Sequence, residues 1–381
     1  MKLSILISQR NDPFGTLITI RAIMEELKVC NFNAEIIVVD NSDNKEKIKT
    51  FYDIAEGFIK REEIKLIYLP KPCLFSARDL GVSAAKGEYI LVLDSHCLLY
   101  YNSLKNMIAK ADSLPNLGVL FGAMCYSETH ELDAFVDREV DTFYPIRLFA
   151  YLESPDCLKV PLRGMPYLIK RELFNEMRGY EPLSTHKLVW GGGDFLISFK
   201  PLILGYDNYV YTKVGAIHLG PFRDGGFFTK SFNQGDPKAP HRYIGMLTSA
   251  FVIGGEKLLD MRCKALSKYN PTYNFTRTKS LAYEYGSEFR RWLTSRAKRT
   301  YDEIYNQFKN TQGDTETRKF TARCNLPQSG AFSKKDIYVT RMFAPQLPSQ
   351  WPPEQPTPKK INWHDFDKSD CLKFKQTEVN Q

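Results

Sequence analysis

At 381 residues, with 43% hydrophobic and 25% charged side chains, the chain can hold one large domain or two ordinary ones and has the balance of a globular protein. No run approaches the roughly 18 apolar residues of a membrane span. The eight cysteines contain no CxxC pair, which argues against a structural zinc site or a disulfide framework and for reduced thiols in a cytoplasm. The formal charge of +8 is concentrated, because residues 255–341 carry 18 Lys and Arg against 9 Asp and Glu.

The chain opens on "KLSILIS" (2–8), expected as a first strand because no small-residue cleavage site follows it. "AEIIVVD" (34–40), "IKLIYL" (64–69), "YILVLD" (89–94) and "LGVLFGAM" (117–124) are further apolar, β-branched runs between polar or Gly/Pro residues. Helical patterns separate them. Leu17, Ile20, Met24 and Leu27 share one face, and "SARDLGVSAAKG" is expected as a short helix ending at Gly87. This alternation predicts an α/β fold: a mixed, mostly parallel sheet with helices on both faces. Ligands of such sheets bind at the carboxyl ends of strands, where Asp40 and Asp94 both stand. No GxGxxG follows the first strand and no GxxxxGKS/T occurs, which argues against a dinucleotide dehydrogenase or a P-loop enzyme.

After residue 160 the pattern mixes, and the glycine-rich, aromatic stretch 220–240 is expected as a mobile loop. Residues 284–308 are expected as one amphipathic helix with Phe289, Trp292, Leu293, Ile304 and Phe308 on its apolar face. The proline-rich run after Phe343 is a tether with a polar tail. The expected domains are 1–250, divided into a nucleotide half (1–125) and an acceptor half (126–250), then a mainly helical basic extension (251–342), then the tether and tail (343–381).

Asp94 and His96 stand two apart just beyond an apolar strand, where alternate residues point the same way. Carboxylate and imidazole together can hold one ion, with positions left for phosphate oxygens and a third protein ligand. That set suits Mn2+ or Mg2+.

In order and spacing, "VVDNS", "SARDLGVSAAKGEYILVLDSH", "GMPYLIKRELFNEMRGY" and "WGGGDFLISFK" resemble the GT-A glycosyltransferases of the family 2 type over about residues 1 to 222. The motifs look closest to those of polypeptide N-acetylgalactosaminyltransferases, with their DxH and WGGEN. Trp190, Gly191, Gly192, Gly193 and Asp194 are also similar to the WGGED stretch of β-1,4-galactosyltransferases. The resemblance implies a GT-A fold and transfer of a sugar from a UDP-sugar. Asp94 and His96 match the metal ligands, with Ser95 between them, and His218 matches the third. Asp40 matches the carboxylate that holds the uridine, and Arg78 a basic residue near the donor phosphates. Gly164 and Met165 fall in the loop against the donor sugar. The family's glutamate is Gly193 here, whereas Asp194 matches the catalytic base of inverting enzymes, which must take the acceptor hydroxyl's proton. Capping of a helix starting near Phe195 is the structural reading of that same aspartate.

No motif names the acceptor. The basic segment interleaves Arg290, Arg291, Arg296, Lys298 and Arg299 with aromatics, a pattern suited to nucleic acid, so hydroxymethylated pyrimidine in phage DNA, modified in the host cytoplasm, is one expectation. The same composition fits aromatics that merely pack the segment against the catalytic domain. A polysaccharide, lipid-linked glycan or protein hydroxyl is the alternative acceptor. The rival from another class is an inactive GT-A scaffold that binds nucleic acid.

Overall fold

The computed structural model describes residues 1–61, 63–70, 72–126, 157–161, 164–218, 239–269 and 271–308. All of these lie in the first of two compact units, Met1–Asn325. The expected tether and tail, most of the expected loop 220–240 and most of 126–156 fall outside the described residues; residues 239 and 240 begin a helix.

The expected strands form. In chain order the strands are β1 Leu3–Gln9, β2 Ala34–Asp40, β3 Lys65–Tyr68, β4 Tyr89–Asp94, β5 Cys97–Leu99, β6 Leu117–Tyr126, β7 Cys157–Lys159, β8 Tyr167–Lys170 and β9 Asp207–His218. They make one sheet in the order β3-β2-β1-β4-β8-β6-β9-β5, with β7 also on β9. From β3 to β4 every pairing is parallel. Beyond β4 the sheet is mixed: β8 runs antiparallel to both neighbours, while β6 and β9 pair in parallel.

Both faces are covered, so each strand alternates between two cores rather than between core and water. Ile5, Val38 and Leu91 face helices α1 (Pro13–Leu27), α2 (Lys45–Lys60) and α4 (Ser103–Ser113) through Ile20, Phe51 and Leu104. Leu6, Val39 and Val92 face α3 (Leu74–Ser83), α5 (Arg171–Glu176) and α6 (Gly193–Ile203) through Phe75, Phe174 and Phe195. The third helix stops earlier than expected. Gly87 serves close packing instead: a Cβ there would lie 2.4 Å from the backbone nitrogen of Ser4.

The C-terminal described part is helical: α7 Ala239–Tyr269, α8 Phe275–Thr294 and α9 Tyr301–Phe308. Residue 250 lies inside α7, and Phe289, Leu293, Ile304 and Phe308 join the same core as Phe195 and Phe199. The single helix expected over 284–308 is two. Between them the backbone N–H groups of Lys298 and Arg299 both donate to Ile203 O, at 2.8 and 3.1 Å, and this tertiary contact takes the chain out of helical geometry.

Candidate active site

The carboxyl edge of the parallel strands brings the first set of residues together. Gln9 pairs with Asp40 across β1 and β2, and Ser8 with Asp94 across β1 and β4. The Cα atoms of the two aspartates are therefore two strand spacings apart, about 10 Å, and their side chains leave opposite faces of the sheet. Asp40 is fully buried. Its Oδ1 accepts from Gln9 Nε2 at 2.8 Å and from the Ser42 N–H at 3.0 Å, but its Oδ2 is buried without a hydrogen-bond partner. Burial raises its pKa to about 6, against the lowering pull of Ser42 and Gln9. A buried acceptor left open costs free energy unless a ligand donor meets it.

Asp94, at the exit of β4, keeps its side chain 30% exposed, and Arg78 Nη2 approaches its Oδ1 at 3.5 Å. Arg78 itself is buried on α3. Its Nη1 donates to Tyr180 Oη at 3.0 Å and its Nη2 to Met165 Sδ at 3.1 Å, while Tyr180 Oη lies 2.5 Å from Tyr167 Oη. Arg78 thus ties Asp94 to the Gly164–Met165 loop.

Asp194, in the first turn of α6, interacts electrostatically with this cation. Its Oδ2 lies 3.5 Å from where a Cβ on Gly164 would be, so the glycine leaves room beside the carboxylate. The carboxyl reaches solvent although protein encloses it on most sides. That enclosure raises its pKa, Arg78 draws it down, and Asp94 pushes it up. The N-terminus of α6 favours negative charge on Asp194. It does not cap the helix: Gly192, with φ +81°, occupies the N-cap position and no side-chain cap bond forms. The helix begins at Gly193, two residues before Phe195.

His96 is almost buried in the turn after β4. Its Nδ1 lies 2.8 Å from Asp12 Oδ2, an oxygen that also accepts from Ser95 Oγ at 3.3 Å. Ser95, expected at the donor, therefore turns its hydroxyl toward Asp12. The backbone of His218 is brought opposite Cys97, the residue after His96, by the β5–β9 register; the side chain of His218 lies outside the described part. Among the described residues no group of three or more His, Cys, Asp or Glu is arranged to hold a metal. The donor set on hand is one carboxylate and one imidazole held through Nδ1, which fits an oxygen-preferring divalent ion completed by phosphate oxygens.

The glycine run is explained by packing. A Cβ on Gly191 would lie 2.4 Å from Arg242 O, one on Gly192 2.4 Å from Gly245 O, and one on Gly193 2.4 Å from the Phe75 ring. At Gly193 the helices α3 and α6 close on each other, which leaves no room for a side chain. Trp190 lies under the Arg242 guanidinium, 4.9 Å from ring centroid to cation.

With this geometry in place, residues 4–176 match the profile described as glycosyl transferase family 2. The chain carries a family 2 glycosyltransferase domain. It is 27% identical over 204 residues to N-acetylgalactosaminyltransferase 6 of Drosophila melanogaster, covering 49% of this chain and 29% of that protein. It is 26% identical over 215 residues to polypeptide N-acetylgalactosaminyltransferase 12 of Mus musculus, covering 52% and 36%. The chain thus spans about a third of the length of these curated relatives. A crystal structure of GalNAc-T7 with UDP, GalNAc and Mn2+ superposes with a TM-score of 0.52 at 19% identity, over 81% of this chain and 58% of that one. The family 2 domain therefore has the GT-A fold.

Some residues that build this candidate site carried no sequence signal for that role. Asp12 precedes Pro13, a pair that signals only a helix start. Lys200, on α6, is fully buried, and its Nζ donates to the carbonyls of Met177, Gly179 and Glu181. It braces the turn that carries Tyr180. Burial pushes its pKa down to about 7, while Asp79 and Glu181 hold it up.

The five basic residues divide. Gly255, with φ +69°, breaks α7, and Arg290 donates to the freed carbonyls of Phe251 and Val252 at 3.1 and 3.0 Å. Arg299 donates to Leu202 O and Tyr206 O and pairs with Asp207. Arg291, Arg296 and Lys298 are exposed. The aromatics between them pack inward, as in Phe251 against Tyr283, Tyr243 against Tyr273 and Phe275, and Phe199 against Tyr301.

Proposed function

We propose that this protein is a metal-dependent, inverting glycosyltransferase that moves a sugar from a UDP-sugar to an acceptor hydroxyl. The observation that carries the reading is the open Oδ2 of buried Asp40 at the same sheet edge as Asp94 and His96, with the Cα atoms of the two aspartates about 10 Å apart. That span fits a pyrimidine nucleotide, with its base N3–H on Asp40 and its diphosphate toward Asp94. Asp94, His96 and His218 would hold Mn2+ or Mg2+, which when bound supplies Lewis-acid neutralisation of the diphosphate. Arg78 adds a fixed positive charge beside Asp94. The Gly164–Met165 loop lies against the donor sugar, and Asp194 beside it accepts the acceptor hydroxyl's proton. Trp190, under Arg242, is assigned to the same site. A donor panel with Mn2+, followed by release of UDP, tests the assignment. No UDP release from any donor would favour an inactive scaffold.

Asp40 gives a pH test that does not involve the metal. An N3–H donor needs the ionised carboxylate, so ligand binding lowers a pKa that stands at about 6 in the free protein. Uridine affinity should be constant above that pH and fall as pH drops through it, approaching about tenfold per unit. Titration of uridine across about pH 5 to 8, followed by ligand-observed NMR, should show this slope in the wild type. Asp40→Asn should flatten it. An equal slope in both proteins would remove Asp40 from the base site.

The acceptor is read as a hydroxymethylated pyrimidine in DNA, which the enzyme would reach by extruding the base. Support comes from Arg291, Arg296 and Lys298 on the surface of the basic segment; Arg290 and Arg299 serve the fold instead. Neutralising the three exposed cations should flatten the slope of log affinity against log salt by about one unit for each phosphate left without its cation. UDP-sugar hydrolysis should be untouched. If the wild type shows no salt-sensitive binding to plain or hydroxymethylated duplex, the acceptor is a polysaccharide, lipid-linked glycan or protein hydroxyl. A cytoplasmic place of action belongs to the same reading.

A further inference from the structure

We infer that Asp12 is a positioning residue for the metal site: it fixes the tautomer and ring orientation of His96. The inference rests on the proposed role of His96 as a metal ligand. Asp12 lies on a different element from the Asp94-Ser95-His96 turn, in the loop after β1, and its side chain is 3% exposed. Its Oδ2 lies 2.8 Å from His96 Nδ1 and accepts from Ser95 Oγ at 3.3 Å. An ionised carboxylate can only accept, so Nδ1 carries the ring proton and the lone pair of the neutral ring is on Nε2. That is the form an imidazole needs if it is to bind a cation through Nε2, and a carboxylate behind the ring is the usual device for holding it.

The carboxylate is itself immobilised by the start of α1. Oδ1 accepts from the Gly15 N–H at 3.2 Å as the helix cap, and the Asp12 carbonyl accepts from Thr16 Oγ1 at 2.7 Å. Gln9 Oε1 accepts from the Asp12 N–H at 3.1 Å, and the same Gln9 side chain donates to Asp40. A Cβ on Gly15 would sit 2.4 Å from Asp12 Oδ2 and 2.7 Å from Oδ1, so the glycine leaves room for the whole carboxylate. Capping alone would need only one oxygen. The two oxygens have separate tasks.

The test separates capping from positioning. Asp12→Ser keeps a good helix cap but has no carboxylate for the ring. Histidine labelled with 15N reports the tautomer of His96 in the metal-free protein. The Nδ1–H form is expected in the wild type, and mainly the Nε2–H form in Asp12→Ser. Affinity for Mn2+, followed by the electron paramagnetic resonance of the free ion with and without UDP, should fall about 10–100-fold in Asp12→Ser. Circular dichroism confirms that each variant is folded. An Nε2–H ring in the wild type would overturn the inference. So would loss of Mn2+ affinity in His96→Ala with no change in Asp12→Ser. Unchanged affinity in His96→Ala itself would instead overturn the metal assignment, and the role of Asp12 with it.

Discussion

Asp94→Ala and His96→Ala are each expected to reduce UDP-sugar turnover to background and to abolish metal-dependent UDP binding, while the protein stays folded. The fold should survive because Asp94 is partly exposed at a strand end, so truncation opens no core cavity, and the buried Leu91, Val92 and Leu93 behind it are untouched. Function should not survive, because two protein ligands from one turn cannot be halved without releasing the ion. His218→Ala should weaken Mn2+ binding less completely, since donor phosphates still contribute oxygens. Turnover assays over a Mn2+ titration, with EDTA as the metal-free limit and a thermal melt as the folding control, measure all of this. Wild-type rates in both variants under EDTA would end the metal reading, and an unchanged Mn2+ requirement in His218→Ala would remove that residue from the site.

Asp194→Asn is expected to lower kcat by roughly 10²–10⁴-fold with the donor KM nearly unchanged. The amide keeps the shape beside Gly164 but cannot take a proton. Enclosure raises the Asp194 pKa, so the carboxylate loses its charge at a higher pH than an ordinary aspartate. The base works only when ionised. The wild-type kcat/KM should therefore rise with pH through that ionisation, and the variant should lose this limb of the profile. NMR of the product gives the anomeric configuration, expected to be opposite to that of the donor. Retention of configuration by an Asp194→Asn variant that remains active would exclude the aspartate as base.

Much of this site was legible in the chain. Strands buried on both faces must be continuous apolar runs, so β1, β2, β4 and β6 could be read from composition alone, and the sheet's carboxyl edge then placed Asp40 and Asp94. The spacing of DSH, GMPY and WGGGD carried the family and hence the GT-A fold. What a sequence cannot show is a side chain's partner when that partner is far along the chain. His96 meets Asp12, Arg78 meets Tyr180, and Lys200 meets the 177–181 carbonyls only because strand order and helix packing bring those segments together. The basic segment makes the same point. Counting charges treated five cations alike, but a broken helix at Gly255 left carbonyls that Arg290 satisfies, and the end of α6 left others for Arg299. A buried polar group must find a partner, and which cation is spent on it is decided by tertiary contact rather than by composition.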